Sequence, residues 1–550
     1  MYNVWVIVCA GVGNSSPLQG CLLCLTKDRG KGADMPVKPT LEQLREIAHI
    51  YGLHMSDADL EAFRGLMSAT FESYRRIDQL TEPALLVRHA RTGGYRPSAE
   101  ENPLNAWYQK CSIQGAASGP LAGKRIAIKD NVCVAGVPMM NGSSLLEGYV
   151  PEFDATIVTR ILDAGGEIIG KAVCENLSSS GSSFTADTGP VLNPHHPAYS
   201  AGGSSSGSAA LVVAGECDMA IGGDQGGSIT IPSCWCGAYG LKPTYGLVPY
   251  TGIFPIELTL DHTGPIAATA ADVALLLEVI AGEDGLDPRQ KGIKTEAYTS
   301  ALRNDTEGIR IGIVKEGFGW PELSENDVDE LVEVAARRFS EVGSQVSMIS
   351  VPMHRDGKHI WNAIFMEGAA TLMVRGNGMG TNWKGHYSIS LLEAFARGRL
   401  TSADDFFETL KLTTLLGHYM QERYHGRYYA RAQNLARTLT KAYDDALQTV
   451  DVLVMPTTPR KATMLLHRDA PLEEKIARAS EMNPNNCPFN VTGHPVMTVP
   501  CGLSGGLPVG IMLVGRRGED ASVLRAAHAF EQISGYSVRP KPLSALTTQY

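Results

Sequence analysis

Basic charge is in short supply in this chain. Its 48 Lys and Arg stand against 58 Asp and Glu, a formal net charge of −10, which argues against a general nucleic-acid-binding role. Long apolar runs are missing too. The opening MYNVWVIVCAGVG is too short to cross a bilayer, and no Lys or Arg precedes it as a secretory signal requires. No other segment reads as membrane-spanning, so no membrane association is expected. The cysteines supply no disulfide framework: there are eleven, an odd number, and they are scattered. A reduced, cytoplasmic protein fits that usage. The close pairs Cys21–Cys24 and Cys234–Cys236 lack the second half of a zinc site, so neither a metal nor a cofactor is expected. There is no internal repeat. With 44% hydrophobic and 19% charged residues over 550 positions, the chain is not disordered and is long enough for a large core and more than one domain.

Against these absences, the chain has a clear organisation. Residues 1–34 read as a disordered or non-native extension, because Met35 opens a more ordinary start, MPVKPTLEQL. Residues 35–112 form a helical N-terminal region. There, Ser56 is placed to cap a helix whose apolar positions Leu60, Phe63, Met67, Phe71, Tyr74 and Ile77 recur at spacings of three and four. That stripe is expected to be core or a subunit contact. A polar connector is expected over 95–112. Strands then alternate with helices: strands at 125–128, 167–170, 218–221 and 309–314, and helices at 154–166 and 271–282. This texture predicts a layered α/β core over 113–357. Residues 358–480 read as a mostly helical inserted small domain, although DVLVMP at 451–456 already has strand character. The core resumes over 481–550 with strands at 496–500 and 509–515.

One stretch of the core, SAGGSSSGS (200–208), has the composition of a flexible linker. The SAALVVAG that follows at once reads instead as a helix with a buried face. Gly203–Gly207 also matches the nucleophile-elbow pattern G-x-S-x-G. Its lead-in, however, carries Pro194 and Pro197 where a strand is needed, and the adjacent Asp261–His262 pair makes poor triad partners. A second cluster, IGGDQGGSITIP (221–232), runs from a strand into glycines and delivers Ser228. Glycines before a serine let several N–H groups converge on one point, as an oxyanion hole requires, with each donor worth about 3 kcal/mol in the transition state. No Gly-Lys-Ser/Thr follows to make the loop a phosphate cradle. A serine nucleophile needs a base. His195 and His196 sit in a proline-bounded loop, whereas Lys129 closes the strand of GKRIAIKDNV among apolar residues.

Taken together, GKRIAIKDNV, AGGSSSGSAALV, IGGDQGGSITIP with CGAYGLKPTYGLVP, LDHTGPI, DVLVMPTTP and PFNVTGHPVMTVPCGLSGGLPVGIMLVG resemble the amidase signature family, in this order and over most of the chain from about residue 110. The helical N-terminus, GGDQGG and the insertion are most like the bacterial amidases associated with nitrile metabolism, which are often homodimers. The resemblance implies a mixed twisted sheet covered by helices and a Ser–Ser–Lys triad. Lys129 matches the family's lysine, Ser204 its bridging serine (preceded in family members by a cis peptide) and Ser228 its nucleophile, and the serine spacing of 228 − 204 = 24 keeps the family's register. It implies an oxyanion hole from the backbone N–H groups of Gln225, Gly226, Gly227 and Ser228, and no cofactor. The expected reaction is hydrolysis of a small aliphatic or aromatic carboxamide through an acyl-enzyme.

The chain departs from the family at position 230, where Thr230 stands in place of the usual arginine, leaving Asp224 without a charged partner. Gly203, Thr230 and Trp235 are candidate substrate contacts, with Trp235 either lining an acyl pocket or, the weightier reading, filling the core. The alternatives are carbamate, ester or aryl-amide hydrolysis, a glutamine-dependent tRNA amidotransferase subunit, or an inactive binding protein on this scaffold.

Overall fold

The computed structural model describes residues 36–467 and 469–536, so the expected extension and the Cys21–Cys24 pair lie outside the described residues. The chain divides into two compact units, Met1–Leu85 and Leu86–Tyr550. In the first, the helices Leu41–Ile50 and Asp57–Asp78 are separated by a turn in which Gly52 takes φ 65°. Each opens on a capping box, Thr40 with Gln43 and Ser56 with Asp59. The apolar stripe is divided between two faces. Leu60 is buried against Leu44 and Ala48, with Met67 packed beside them, whereas Phe63, Tyr74 and Ile77 are exposed.

The second unit is built on one eleven-stranded mixed sheet. Its strands are β1 (Trp107–Ile113), β2 (Arg125–Lys129), β3 (Glu167–Ala172), β4 (Met219–Asp224), β5 (Tyr239–Lys242), β6 (His262–Ala267), β7 (Arg310–Val314), β8 (Gln345–Ile349), β9 (Val452–Pro456), β10 (Val496–Ser504) and β11 (Leu507–Val514). Their order is β1-β3-β2-β4-β6-β5-β10-β11-β9-β7-β8. β2 lies parallel to both β3 and β4, and β7 parallel to β8 and β9; the remaining pairs are antiparallel. The central strands β4 and β11 are buried along their whole length. This explains why they read as continuous apolar and glycine runs rather than alternating ones.

Four strands were not expected, each for a physical reason. β1 is a polar edge strand within the predicted connector, and it pairs antiparallel with β3. β8 is the other edge and largely exposed. β5 has only four residues, and β6 carries Pro265, a residue that ordinarily argues against an interior strand. The helical span 358–480 also needs correction as a bounded insertion. Its helices include His354–Ala369, Glu408–Tyr424 and Leu472–Ser480, yet β9 lies within it and pairs with β11 and β7 in the central sheet.

The serine-rich run is not a linker. It passes into the helix Ser206–Val213, every residue of which is buried. Ser208 Oγ donates to Ile221 O at 2.8 Å and Ser205 Oγ to Gly223 O at 3.1 Å, pinning this segment to β4. Just past the end of β2, Asp130 pairs with Lys171 of β3 at 3.0 Å with both side chains buried, and its other oxygen accepts the N–H groups of Met140 and Asn141. Removing one partner of a buried pair strands the other charge, at about 3–5 kcal/mol. Asp130→Ala is therefore expected to lower the unfolding free energy by that amount in a denaturant titration, while a substitution at the exposed pair Lys441–Asp445 changes it by less than about 1 kcal/mol.

Candidate active site

The parallel register of β2 and β4 sets Ile128 beside Ile221, so both strands end at the same rim of the sheet, where open α/β sheets place their sites. Lys129 is the last residue of β2 and is fully buried. Its Nζ donates to Ser204 Oγ at 2.7 Å and to Gly223 O, near the end of β4, at 3.1 Å. Among the described residues no carboxylate forms an ion pair with it. Burial pushes its pKa down to about 8, against the pull of nearby acids including Asp224 and Glu175. Glu175 itself is raised to about 7 by burial, eased by its bond from Ser182.

Ser204 is brought to Lys129 by an unusually close backbone approach. The Gly203–Ser204 peptide is cis, and a Cβ on Gly203 would collide with Ser182 O, so only glycine fits there. Ser205 N–H donates to Ser228 O at 3.2 Å, which places the two serine clusters side by side. The loop after β4 is then folded by Asp224. Its carboxylate accepts the N–H groups of Gly227 at 2.7 Å and Ile229 at 2.6 Å, and the Asn490 amide at 2.9 Å. Asp224 is thus held by neutral donors, with Asn490 standing where a charged partner was expected to be lost. Gly227, at φ 118°, is in the region that favours glycine. Its N–H, expected among the four oxyanion donors, is taken by the Asp224 carboxylate.

Ser228 lies on the wall of a cavity of about 410 Å³ together with Gln225 and Gly226. Much of the remaining wall is apolar: Trp361, Phe365, Met366, Leu412, Leu416 and Ile476, all from helices of the 354–480 region. Sequence reasoning missed these residues, although the i,i+4 spacings 361/365 and 412/416 marked one apolar face on each helix. Of the candidate substrate contacts, none lines this cavity. Gly203 is wedged against Ser182 and Glu175. Thr230 Oγ1 lies 2.7 Å from Asn486 Oδ1 and 3.2 Å from Gly227 O, bracing the loop from behind. Trp235 is buried in a separate cluster with Ile231, Cys234 and Met482, and its indole N–H is taken by Thr458 and Arg460.

The groups set aside as bases are committed elsewhere. His195 Nε2 is 2.9 Å from Cys236 O, and His262 Nδ1 is 2.7 Å from Leu260 O. Cys234 and Cys236 turn to different partners, Thr458 and Ala201. Among the described residues no group of three or more His, Cys, Asp or Glu side chains could hold a metal ion, and no helix is long and apolar enough to cross a membrane.

Comparison with known proteins meets this geometry. Residues 98–524 match the Amidase family. The chain is 44% identical over 518 residues to an enantioselective amidase of Rhodococcus rhodochrous, covering 93% of this chain and 99% of that protein. It is 36% identical to a glutamyl-tRNA(Gln) amidotransferase subunit of Methanosarcina acetivorans, over 82% and 94% of the two chains. The native peptide amidase of Stenotrophomonas maltophilia shares its fold with a TM-score of 0.62 and 29% identity, over 77% of this chain and 84% of that one. The chain belongs to the amidase family. It is a carbon–nitrogen hydrolase that acts on amides.

The buried lysine has a measurable consequence for stability. A Lys whose pKa falls from 10.5 to about 8 on folding costs about 3 kcal/mol where both states are charged. The cost is full below pH 8 and vanishes as pH rises through 10.5. Relative to Lys129→Met, the wild type should therefore gain about 3 kcal/mol of unfolding free energy between pH 7 and pH 10.5. An unchanged difference in urea titrations at the two pH values would show an unperturbed lysine.

Proposed function

We propose that this amidase hydrolyses carboxamides with apolar aliphatic or aromatic acyl groups to the carboxylate and ammonia or an amine, with Ser228 as nucleophile, Ser204 as proton relay and Lys129 as base. The observation that carries this reading is Ser228 on the wall of a largely apolar cavity, beside a segment whose Ser204 is bonded to a buried, unpaired lysine. Neutral Lys129 takes the Ser204 proton as Ser204 takes that of Ser228, and Ser228 Oγ adds to the carbonyl carbon. The oxyanion meets the N–H groups of Gln225, Gly226 and Ser228. As the tetrahedral centre collapses, the C–N bond breaks and Ser204 returns a proton to the leaving nitrogen. Water then repeats the relay to release the acid. The amidotransferase reading is weaker, because most of the cavity surface is apolar, although Lys358, Asn362 and Asn483 also line it, and Thr230, in the family's arginine position, is turned to Asn486 rather than to the cavity.

On the same reading the protein is a cytoplasmic homodimer. Its described cysteines are all free thiols, and Phe63, Leu66, Tyr74 and Ile77 leave an apolar face on the helix Asp57–Asp78. Light scattering that gives a monomer mass at micromolar concentration would remove the dimer from this proposal.

Ammonia release from a panel of aliphatic amides, benzamide and glutamine tests the activity. Release from the apolar amides is expected, with Ser228→Ala lowering kcat by at least about a thousandfold. Activity should rise with pH through about 8 as Lys129 loses its proton. Leu416→Trp, which fills the cavity, is expected to lower kcat/KM for benzamide about tenfold more than for acetamide. Equal losses on both amides would place the acyl group elsewhere.

A further inference from the structure

Trp361 belongs to the helix His354–Ala369, far in sequence from the Ser228 loop, yet its indole N–H donates to Gln225 O at 2.6 Å. A carbonyl and the next residue's N–H share one planar peptide unit and point in opposite directions. Fixing Gln225 O therefore fixes the direction of Gly226 N–H. The ring itself covers Gly226: a Cβ there would lie 2.7 Å from Trp361 Cζ2. The ring also stacks on Phe365, with centroids 4.7 Å apart and planes 18° from parallel. The loop is thus anchored at two points, by Asp224 through Gly227 and Ile229 and by Trp361 through Gln225. The Gln225 side chain is held separately, its Nε2 donating to Tyr250 OH at 3.0 Å.

We infer that Trp361 is a positioning residue for the oxyanion site, its indole N–H holding the Gln225–Gly226 peptide so that Gly226 N–H faces the developing oxyanion. This inference rests on the proposed role of the 225–228 loop. It gives the helical region a part in the rate of the reaction as well as in the shape of the cavity, since the side chain that orients the peptide is also a wall of the acyl site. Losing the bond misdirects a donor rather than deleting it, so the effect should fall below the hundredfold to thousandfold loss typical of a deleted oxyanion donor.

The test removes the N–H and keeps the ring. Trp361→Phe is the simple variant. Incorporation of 3-benzothienylalanine at position 361 preserves the bicyclic shape and decides the matter if Trp361→Phe folds poorly. With an apolar amide that the wild type turns over, the isostere is expected to lower kcat by 10- to 100-fold and leave KM within about threefold. An aldehyde analogue of the same acyl group, which forms a tetrahedral adduct with Ser228, should bind more weakly by the same factor. Wild-type kcat in the isostere, or a loss confined to KM, would mean that the indole N–H merely satisfies a buried carbonyl, and would overturn the inference. So would a fall in kcat with unchanged aldehyde affinity. Ser228→Ala separates the two levels. If it stays active, the assignment of the loop fails; if it is inactive while the isostere keeps wild-type kcat, only the role of Trp361 fails.

Discussion

Lys129 is an amine buried at the end of an interior strand, with no carboxylate ion-paired to it among the described residues, and the surrounding structure has to make that tolerable. A charged lysine in such a place is destabilising, so folding favours the neutral form. A neutral amine beside a hydroxyl is a base. The strain of burying a cation and the capacity to accept a proton are therefore one physical fact. The sheet supplies the burial by flanking β2 with β3 and β4 in parallel. Of the two oxygens that Nζ contacts, the sheet supplies the Gly223 carbonyl, and the loop before the helix Ser206–Val213 supplies Ser204 Oγ.

Nearby acids do not undo this arrangement, because each is engaged. Asp130 is paired with Lys171 and two backbone N–H groups. Asp224 is turned into the Ser228 loop by two backbone donors and Asn490. Glu175 is pushed up to about 7 by burial, so much of its charge is suppressed near neutrality. Its backbone N–H meanwhile donates to Ser204 O at 3.2 Å, tying the Ser204 segment to the chain just past β3. The acids act as scaffolding for backbone that carries chemistry.

The labour is divided between two parts of the chain. The sheet and its loops hold the lysine and the serines, and the helices of the 354–480 region hold most of the apolar wall. A cavity built this way can change size without disturbing the lysine. The bond from Trp361 to Gln225 is one of several places where the two parts touch, with Tyr429 to Glu257 and Gly181 N–H to Ala479 O among the others, and such bonds limit how freely one can vary without the other.

Much of this was legible in the sequence because it rests on local pattern. The strand RIAIK ending in Lys129, the glycines leading to Ser228 and the cap at Ser56 follow from residue type and spacing, and the family resemblance supplied the pairing of Lys129 with Ser204. Edge strands β1 and β8 were not legible, since a polar segment becomes a strand only when a neighbour offers its hydrogen bonds. β6, with Pro265 in its interior, is held by partners on both sides. Trp235 and Trp361 show the limit most plainly. Both are buried tryptophans, and the one closer in sequence to Ser228 serves the core while the distant one bonds to the loop that carries Ser228. By itself the sequence determined which chemical groups were present and which strands carried them to a common rim. Only the tertiary structure decided which side chains face the cavity, because this depends on contacts between distant segments such as Trp361 and Gln225, 136 residues apart.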